Sequence, residues 1–242
     1  LLLNSYKVRG PALKIPMSLT ADFIQLFYPR YCHGCQRTLV AGENVICTHC
    51  LASLPKTDYH RLPENPVWQR LANRIPVTQA FAYLKFRKGG IVQRLLHQLK
   101  YNHHPEIGVA LGHLVGREVS DTPHGWEIIV PVPLHESRRR RRGYNQSAQL
   151  ARGLSEALGI PWDESISIRT QRTETQTKRN RLERWRNVEH VFAVTSSDAI
   201  QGKHVLLVDD VITTGATVEA CGRHLLKHGA RQLSVACIAE AQ

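Results

Sequence analysis

The sequence predicts an α/β domain, a parallel sheet flanked by helices, with a small cysteine-rich module before it. Short apolar runs typical of buried strands alternate along most of the chain with segments whose apolar residues recur at helical spacing. This alternation indicates parallel strands joined by helices that cover both faces of a sheet. Four of the six cysteines lie between positions 32 and 50, which marks a separate N-terminal unit.

Extended segments are predicted at 77–86 and at 127–133, where a short buried strand ends at its prolines. Residues 205–208 form a four-residue apolar run, which is typical of a strand covered on both faces. The last strand is predicted over 233–239, after a glycine at position 229 that suits the end of a helix.

Amphipathic helices are predicted between these strands. Apolar residues at helical spacing mark helices near 91–100, 107–115 and 150–158, and the last of these stops at Gly159. A further helix is predicted from about position 216 to 227.

The chain carries a net charge of +12 over 242 residues, which favours polyanionic partners such as phosphates, nucleic acid or anionic membrane surfaces. A hydrophobic fraction of 42% is sufficient for a packed core and argues against global disorder. No run approaches the ~20 apolar residues that span a bilayer, and no signal peptide is visible. We therefore expect a cytoplasmic protein without a transmembrane segment.

The clustered cysteines form two C-x2-C pairs, Cys32 with Cys35 and Cys47 with Cys50, separated by eleven residues. Each pair can turn two thiolates toward one ion, so two pairs complete a tetrahedron. The alternative, two disulfides, needs an oxidising compartment and conflicts with the missing export signal. The spacing therefore predicts a structural Zn2+ site, because a closed four-thiolate site leaves no open position for catalysis.

Three units are predicted along the chain. Residues 1–18 are interpreted as a tail, either non-native sequence or a loose segment, 19–62 as the zinc-binding module and 63–242 as the α/β domain. The boundary follows the proline-containing segment 62–66, which suggests a linker. A short amphipathic helix is predicted just before the cysteines. Its apolar face offers an alternative location, peripheral attachment at the inner face of the membrane.

Two acids, Asp209 and Asp210, directly follow the apolar run 205–208 and should lie at the carboxyl edge of the sheet, where α/β proteins bind ligands. A small-residue loop then enters a helix, and its residues are Thr213, Thr214, Gly215, Ala216 and Thr217. Backbone N–H groups at a helix start bind anions, and carboxylates accept hydrogen bonds from vicinal hydroxyls. A ribose 5-phosphate satisfies both halves of this pattern.

Five consecutive arginines follow the strand that ends at the prolines, so we predict a basic loop at the same sheet edge. They are Arg138, Arg139, Arg140, Arg141 and Arg142, with Tyr144 close behind. Three interpretations stay open: the guanidinium groups bind a pyrophosphate, they bind single-stranded DNA or RNA with Tyr144 stacking on bases, or they form a solvated charge run. A second basic stretch, 169–186, is predicted to be a mobile loop over the ligand.

Residues 205–217 resemble the signature of the phosphoribosyltransferase superfamily: an apolar strand, two acids, an apolar pair and a threonine-rich loop. From about Leu19 onward the chain is similar to the ComF family. The wider resemblance rests on the cysteine pairs, on Val130-Pro-Val-Pro-Leu-His135, on Arg142-Gly-Tyr-Asn-Gln146 and on Asn187-Val. It implies a zinc module before a phosphoribosyltransferase-like domain over 63–242, and a link to DNA uptake in natural transformation.

The resemblance further implies that phosphoribosyl pyrophosphate is the ligand, with Asp209 and Asp210 on the ribose hydroxyls and 213–217 on the 5-phosphate. In such transfers pyrophosphate leaves C1 as positive charge develops on the ribose, and bound Mg2+ neutralises the leaving group. Asp209 and Asp210 would then be the catalytic residues. Two non-enzymatic alternatives remain: a single-stranded DNA-binding competence factor that uses the site as a sensor, and a zinc scaffold for a membrane-associated uptake machine.

Overall fold

The computed structural model of the chain describes residues 27–170 and 191–241. The predicted tail, nearly all of the helix predicted before the cysteines, and the second basic stretch beyond Thr170 lie outside the described residues, as does Asn187.

The strands of the described residues are β1 (Gln79–Lys85), β2 (Ile128–Pro131), β3 (Ser167–Arg169), β4 (Phe192–Val194), β5 (His204–Ile212) and β6 (Gln232–Glu240). Four of them form a parallel sheet in the order β1-β6-β5-β2, while β3 and β4 form a separate antiparallel pair. The predicted parallel sheet is therefore confirmed.

The helices of the described residues are α1 (Thr48–Ala52), α2 (Pro66–Ala72), α3 (Ile91–Tyr101), α4 (Pro105–Val119), α5 (Glu136–Arg142), α6 (Gln146–Leu158) and α7 (Ala216–Lys227), with a 3-10 turn at Tyr59–Arg61. Each helix predicted between strands is present within a few residues of its expected ends. None of these helices is long and apolar enough to cross a membrane.

Alternating side chains of the sheet enter two separate apolar cores. Leu206 and Val208 of β5 point into a core with α3, α4, α6 and the cysteine module. Val205 and Leu207 point into a second core with α2, α7 and the β3–β4 pair. Burial on both faces explains why 205–208 is a continuous apolar run rather than an alternating one.

Helices α4 and α6 pack closely because glycines line their contact. A Cβ atom built on Gly112 would lie 2.4 Å from the Leu150 carbonyl oxygen, and one on Gly153 would lie 2.1 Å from the Val109 carbonyl oxygen. Any larger residue would push the helices apart. This contact positions the start of α6, which carries a residue of the candidate site.

The cysteine module packs directly on α3. Its Ile46 and Leu54 share an apolar core with Leu95, and Arg94 Nε donates a 2.7 Å hydrogen bond to the Gly34 carbonyl. Segment 62–66, interpreted as a linker, is held in place: the buried Asn65 caps α2 and its Nδ2 donates to the Ala80 carbonyl at 2.8 Å. The division at residue 62 stays a prediction.

The prediction of a basic loop at the five arginines is wrong, because they form α5. His135 caps the start of this helix, and Gly143 ends it in the left-handed conformation at φ +79°. Glu136 and Arg140 form a 2.9 Å ion pair one turn apart. Arginine is a good helix former and is favoured near the negative, C-terminal end of the helix dipole. Together with the caps at His135 and Gly143, these preferences explain why the segment is helical.

Candidate functional site

The two acids lie within β5, which continues to Ile212 instead of ending at Val208. Asp209 pairs with Cys237 of β6 on one side. On the other side, the pairing of β2 with β5 ends at Pro131 and Val208. Just beyond it, the Val132 N–H donates a 2.8 Å hydrogen bond to the Val208 carbonyl. The acids therefore lie where the neighbouring strand has ended and the sheet edge opens.

Asp209 is held by two donors on one oxygen. The Ser147 hydroxyl donates to Oδ1 at 2.9 Å, and the Asp210 backbone N–H donates to the same atom at 2.8 Å. Burial, together with the negative charge of Asp210, raises the pKa of Asp209 to about 7. The two hydrogen bonds and the charge of Lys100 oppose this rise without cancelling it.

Asp210 forms an ion pair with Lys100, whose Nζ lies 2.8 Å from Oδ2. Both side chains are largely shielded, with 23% of Lys100 and 13% of Asp210 exposed. Lys100 belongs to the last turn of α3, far from the acids in sequence. Sequence reasoning missed it because a lysine at the end of an amphipathic helix is ordinarily a solvated one.

The loop after β5 turns through Gly215, whose φ is +82°. A side chain there would be strained, and its Cβ would lie 2.9 Å from Leu71 Cδ2. The loop carbonyls are held by α2 and by the turn that follows it: Arg70 donates to the Thr213 carbonyl at 2.6 Å and Arg74 to the Thr214 carbonyl at 2.9 Å. The sequence did not predict this role of Arg70 and Arg74, because both lie 140 or more residues before the carbonyl that each holds.

The amide groups of this loop are available to a ligand. Within 27–170 and 191–241, no group accepts a hydrogen bond from the N–H of Thr213, Thr214 or Gly215. The loop is exposed apart from Gly215 and leads directly into α7, twelve residues long. Free amides at the start of a helix form a site for a phosphate.

The five arginines are not equivalent. Arg142 is only 8% exposed, its guanidinium carbon lies 5.2 Å from the centre of the Tyr101 ring, and its Nε has no partner among the described residues. The other four are exposed. Arg139 lies 3.7 Å from Glu164, and Arg140 pairs with Glu136.

The segment after α5 organises the acid pair. Tyr144 is half-buried and its hydroxyl donates to the Leu99 carbonyl, so its ring is anchored rather than displayed. Asn145 caps α6 and its Nδ2 donates to the Val132 carbonyl at 3.0 Å. This double role fixes the start of α6 and brings Ser147 against Asp209.

The β3–β4 pair adds another cation near the acids. The Arg169 guanidinium lies 5.6 Å from the centre of the Phe192 ring. Burial and the nearby charge of Arg138 lower the pKa of Arg169, while Asp209 opposes the change. Arg169, Arg138 and Asp209 are thus close enough to interact electrostatically, although they belong to three separate elements.

The four cysteines of the N-terminal module converge on one point, with sulfur atoms within 4.8 Å of one another. Cys35 and Cys47 have sulfurs 3.7 Å apart, too far for the ~2.05 Å bond of a disulfide. Burial opposes ionisation of Cys32, yet hydrogen bonds, chiefly from the Cys47 N–H, lower its pKa to about 7. Four converging thiols match the donor set of a structural zinc site.

Comparison with known proteins agrees with this architecture. Residues 97–242 match the family model described as a phosphoribosyl transferase domain. The DNA utilization protein YhgH of Escherichia coli K12 is 33% identical over 235 residues, covering 88% of this chain and 98% of that protein. Competence protein F of Haemophilus influenzae is 31% identical over 220 residues, covering 87% and 90%.

A more distant relative is the competence protein ComFC of Bacillus subtilis, 27% identical over 202 residues, covering 83% of this chain and 79% of that protein. The family match includes Asp209 and Asp210, the loop 213–217 and helix α5. The chain therefore belongs to the ComF family of phosphoribosyltransferase-type proteins.

Proposed function

We propose that the protein binds phosphoribosyl pyrophosphate together with Mg2+ at the edge of the sheet and acts in the uptake or use of DNA during competence. The observation that carries this proposal is the acid pair of β5 beside a loop of free amides at the start of α7. The DNA link comes from the names of the relatives, which are a DNA utilization protein and two competence proteins.

The ribose assignment is supported by the two carboxylate oxygens that remain available. Ser147 and the Asp210 N–H use only Oδ1 of Asp209, and Lys100 uses Oδ2 of Asp210. Among the described residues, no donor reaches the other oxygen of either acid. Two adjacent acceptors suit the two vicinal hydroxyls of a ribose, with the 5-phosphate on residues 213–217.

The pyrophosphate is assigned to Arg142, which is buried with an unpartnered Nε. A buried N–H group without an acceptor is costly unless a ligand supplies one, and a guanidinium suits phosphate oxygens. The acids fit Mg2+, which proteins bind through one or two carboxylates and the phosphates of the substrate. Asp209 and Asp210 would hold this ion, which neutralises the charge of the pyrophosphate.

Transfer of the phosphoribosyl group requires the protein mainly to position the ligand and to stabilise charge. The bond from C1 to pyrophosphate breaks as the acceptor bonds to C1, and positive charge on the ribose would be stabilised by Asp209 and Asp210 as the catalytic residues. Lys100 forms an ion pair with Asp210 and holds its carboxylate in place.

Calorimetry with phosphoribosyl pyrophosphate and Mg2+ tests this proposal. The wild type should bind, and the Asp209→Asn plus Asp210→Asn double variant should not. A matched control is Asp198→Asn, which removes the charge of an exposed acid outside both the acid pair and α7. Unchanged binding by the double variant would rule out the ribose assignment. Pyrophosphate release with and without candidate acceptors separates an enzyme from a sensor.

A second candidate function is a single-stranded DNA-binding competence factor that uses the ribose-phosphate site as a sensor. It is favoured by Arg138 and Arg141, which are exposed and form no ion pair with a described acid. Tyr101, 54% exposed and beside Arg142, is better placed to stack on a base than the anchored Tyr144. Attachment to the inner face of the membrane and contact with an uptake machine remain predictions.

Fluorescence anisotropy with labelled single-stranded DNA tests the second candidate. Affinity should fall steeply with salt, because neutralising phosphates releases counterions. No affinity near physiological salt would remove DNA binding by the isolated chain.

A further inference from the structure

A second cluster of metal-ligand side chains lies beside the cysteine module. It consists of His33, from the first cysteine pair, and of His104 and Glu106, from the start of α4. One donor atom of each lies within 4.8 Å of the other two. The cluster shares no donor with the four-cysteine site and includes no residue of loop 213–217 or of the acid pair Asp209 and Asp210.

The distances within this cluster suit a small divalent ion. His33 Nε2 lies 3.5 Å and His104 Nδ1 lies 2.8 Å from the same oxygen, Glu106 Oε1. Bonds of 2.0–2.2 Å in a tetrahedron place neighbouring donors about 3.3–3.6 Å apart, so an ion needs only a small widening of the second distance. The two imidazole rings are 4.2 Å apart and tilted by 52°, rather than stacked in parallel.

The residues around this cluster leave one coordination position of a bound ion open to solvent. Glu106 is 45% exposed, and His33 lines a cleft of about 330 Å³. The other lining residues of this cleft are Gln36, Gln93, Arg94, His97 and Gln98. Two imidazoles and one carboxylate with a free fourth position form the ligand set of open zinc sites, in contrast to the closed set of four thiolates.

We propose that His33, His104 and Glu106 bind a second divalent transition ion, of which Zn2+ is the representative, and that this ion fastens the cysteine module to α4. His33 belongs to the module, and the other two ligands belong to the phosphoribosyltransferase domain. The ion would join the module to α4, next to the hydrogen bond from Arg94 to Gly34 that joins it to α3. Nitrogen and carboxylate donors are also suited to Co2+ and Ni2+.

The competing explanation is a hydrogen-bonded histidine–carboxylate network without metal. Metal titration of the tag-free full chain distinguishes the two. In competition with a chromophoric chelator, the wild type should bind two equivalents of Zn2+. The variant His104→Ala plus Glu106→Gln should keep the first equivalent and bind the second at least about tenfold more weakly. His97→Ala is the matched control, since it removes a histidine from the same cleft and leaves all three ligands.

Two further measurements make the outcome unambiguous. With Co2+, the first equivalent should show thiolate-to-metal charge transfer, and the second should add absorption without it; retention of the first signal in the double variant shows that its module is folded. The second equivalent should also raise the unfolding temperature of the wild type but not of the double variant. A single equivalent in the wild type, or equal second affinities in wild type and double variant, would overturn the proposal.

Discussion

Lys100 Nζ lies 2.8 Å from Asp210 Oδ2 and joins the last turn of α3 to the acid pair of β5. The pair is largely shielded, so removing the cation leaves the Asp210 carboxylate beside Asp209 without its ion-pair partner. We expect Lys100→Met to lower the free energy of unfolding by about 1–3 kcal/mol at neutral pH and to weaken binding of phosphoribosyl pyrophosphate. Urea denaturation and calorimetry measure the two effects. Lys88→Met, at an exposed position, is the control, and identical results for both variants would contradict the role of Lys100.

Asp209 makes the unliganded protein less stable as the pH rises. Its pKa in the folded chain, about 7, lies above the ordinary 3.8, so between these values the folded state binds more protons than the unfolded state. Its contribution to stability is thus present at acidic pH and is lost as the pH approaches 7, by at most about 1.4 kcal/mol per pH unit.

Denaturation of wild type and Asp209→Asn between pH 5 and pH 8 checks this effect. The asparagine variant should gain stability relative to wild type as the pH rises, because it carries no charge to bury. The exposed Asp198→Asn should show a constant difference from wild type. A constant difference for Asp209→Asn as well would mean that Asp209 ionises normally in the folded chain.

The four-cysteine cluster should hold one tightly bound zinc that stabilises the module. Cys47→Ser should lose this ion and expose the apolar face of α3, because Ile46 and Leu54 share the core of that helix. Metal analysis and hydrogen exchange over 91–101 measure the loss. Cys221→Ala removes a buried thiol outside the cluster and should keep the zinc. A folded, metal-free wild-type protein would end the assignment.

The glycine contact between α4 and α6 should be intolerant of any side chain. Gly112→Ala and Gly153→Ala should each destabilise by about 1–3 kcal/mol or more, since the added methyl meets backbone atoms of the facing helix. The sign of the effect is diagnostic, because glycine to alanine within an unobstructed helix stabilises by up to ~1 kcal/mol. Thermal or urea denaturation decides between the two signs.

The arginines of α5 should have two separate functions, with Arg142 binding the pyrophosphate and the exposed Arg138 and Arg141 binding DNA. Arg142→Gln should weaken phosphoribosyl pyrophosphate binding by at least about tenfold, a loss of ~1.4 kcal/mol, because its buried Nε is unpartnered. Arg138→Ser plus Arg141→Ser should leave that binding within about twofold and reduce the salt slope for single-stranded DNA by up to ~1.4, or ~0.7 for each phosphate that is no longer neutralised. Circular dichroism verifies that each variant is folded. The reverse pattern would assign the exposed arginines to the pyrophosphate.

The element order was predictable because each element has a local pattern. The apolar run 205–208 is buried on both faces, and the helices keep their apolar stripes, so periodicity located them. Helix α5 was not predicted because it has no apolar stripe, and the residues that stabilise it are the cap at His135 and the glycine at position 143. The full length of β5 was not predicted, because two consecutive acids are typical of the end of a strand. Pairing with β6 extends the strand through Asp209 and Asp210 to Ile212.

The amino-acid sequence by itself determined the two cysteine pairs, the alternation of strands with helices that indicates a parallel sheet, and the segment that joins Asp209 and Asp210 to loop 213–217. Each part of these patterns is contained in a short stretch of the chain. Only the tertiary structure decided that Lys100 faces Asp210, that Ser147 faces Asp209, and that Arg142 alone of the five arginines is buried. Those relationships join elements far apart in the chain. They follow from how helices pack on the sheet, which local patterns do not encode.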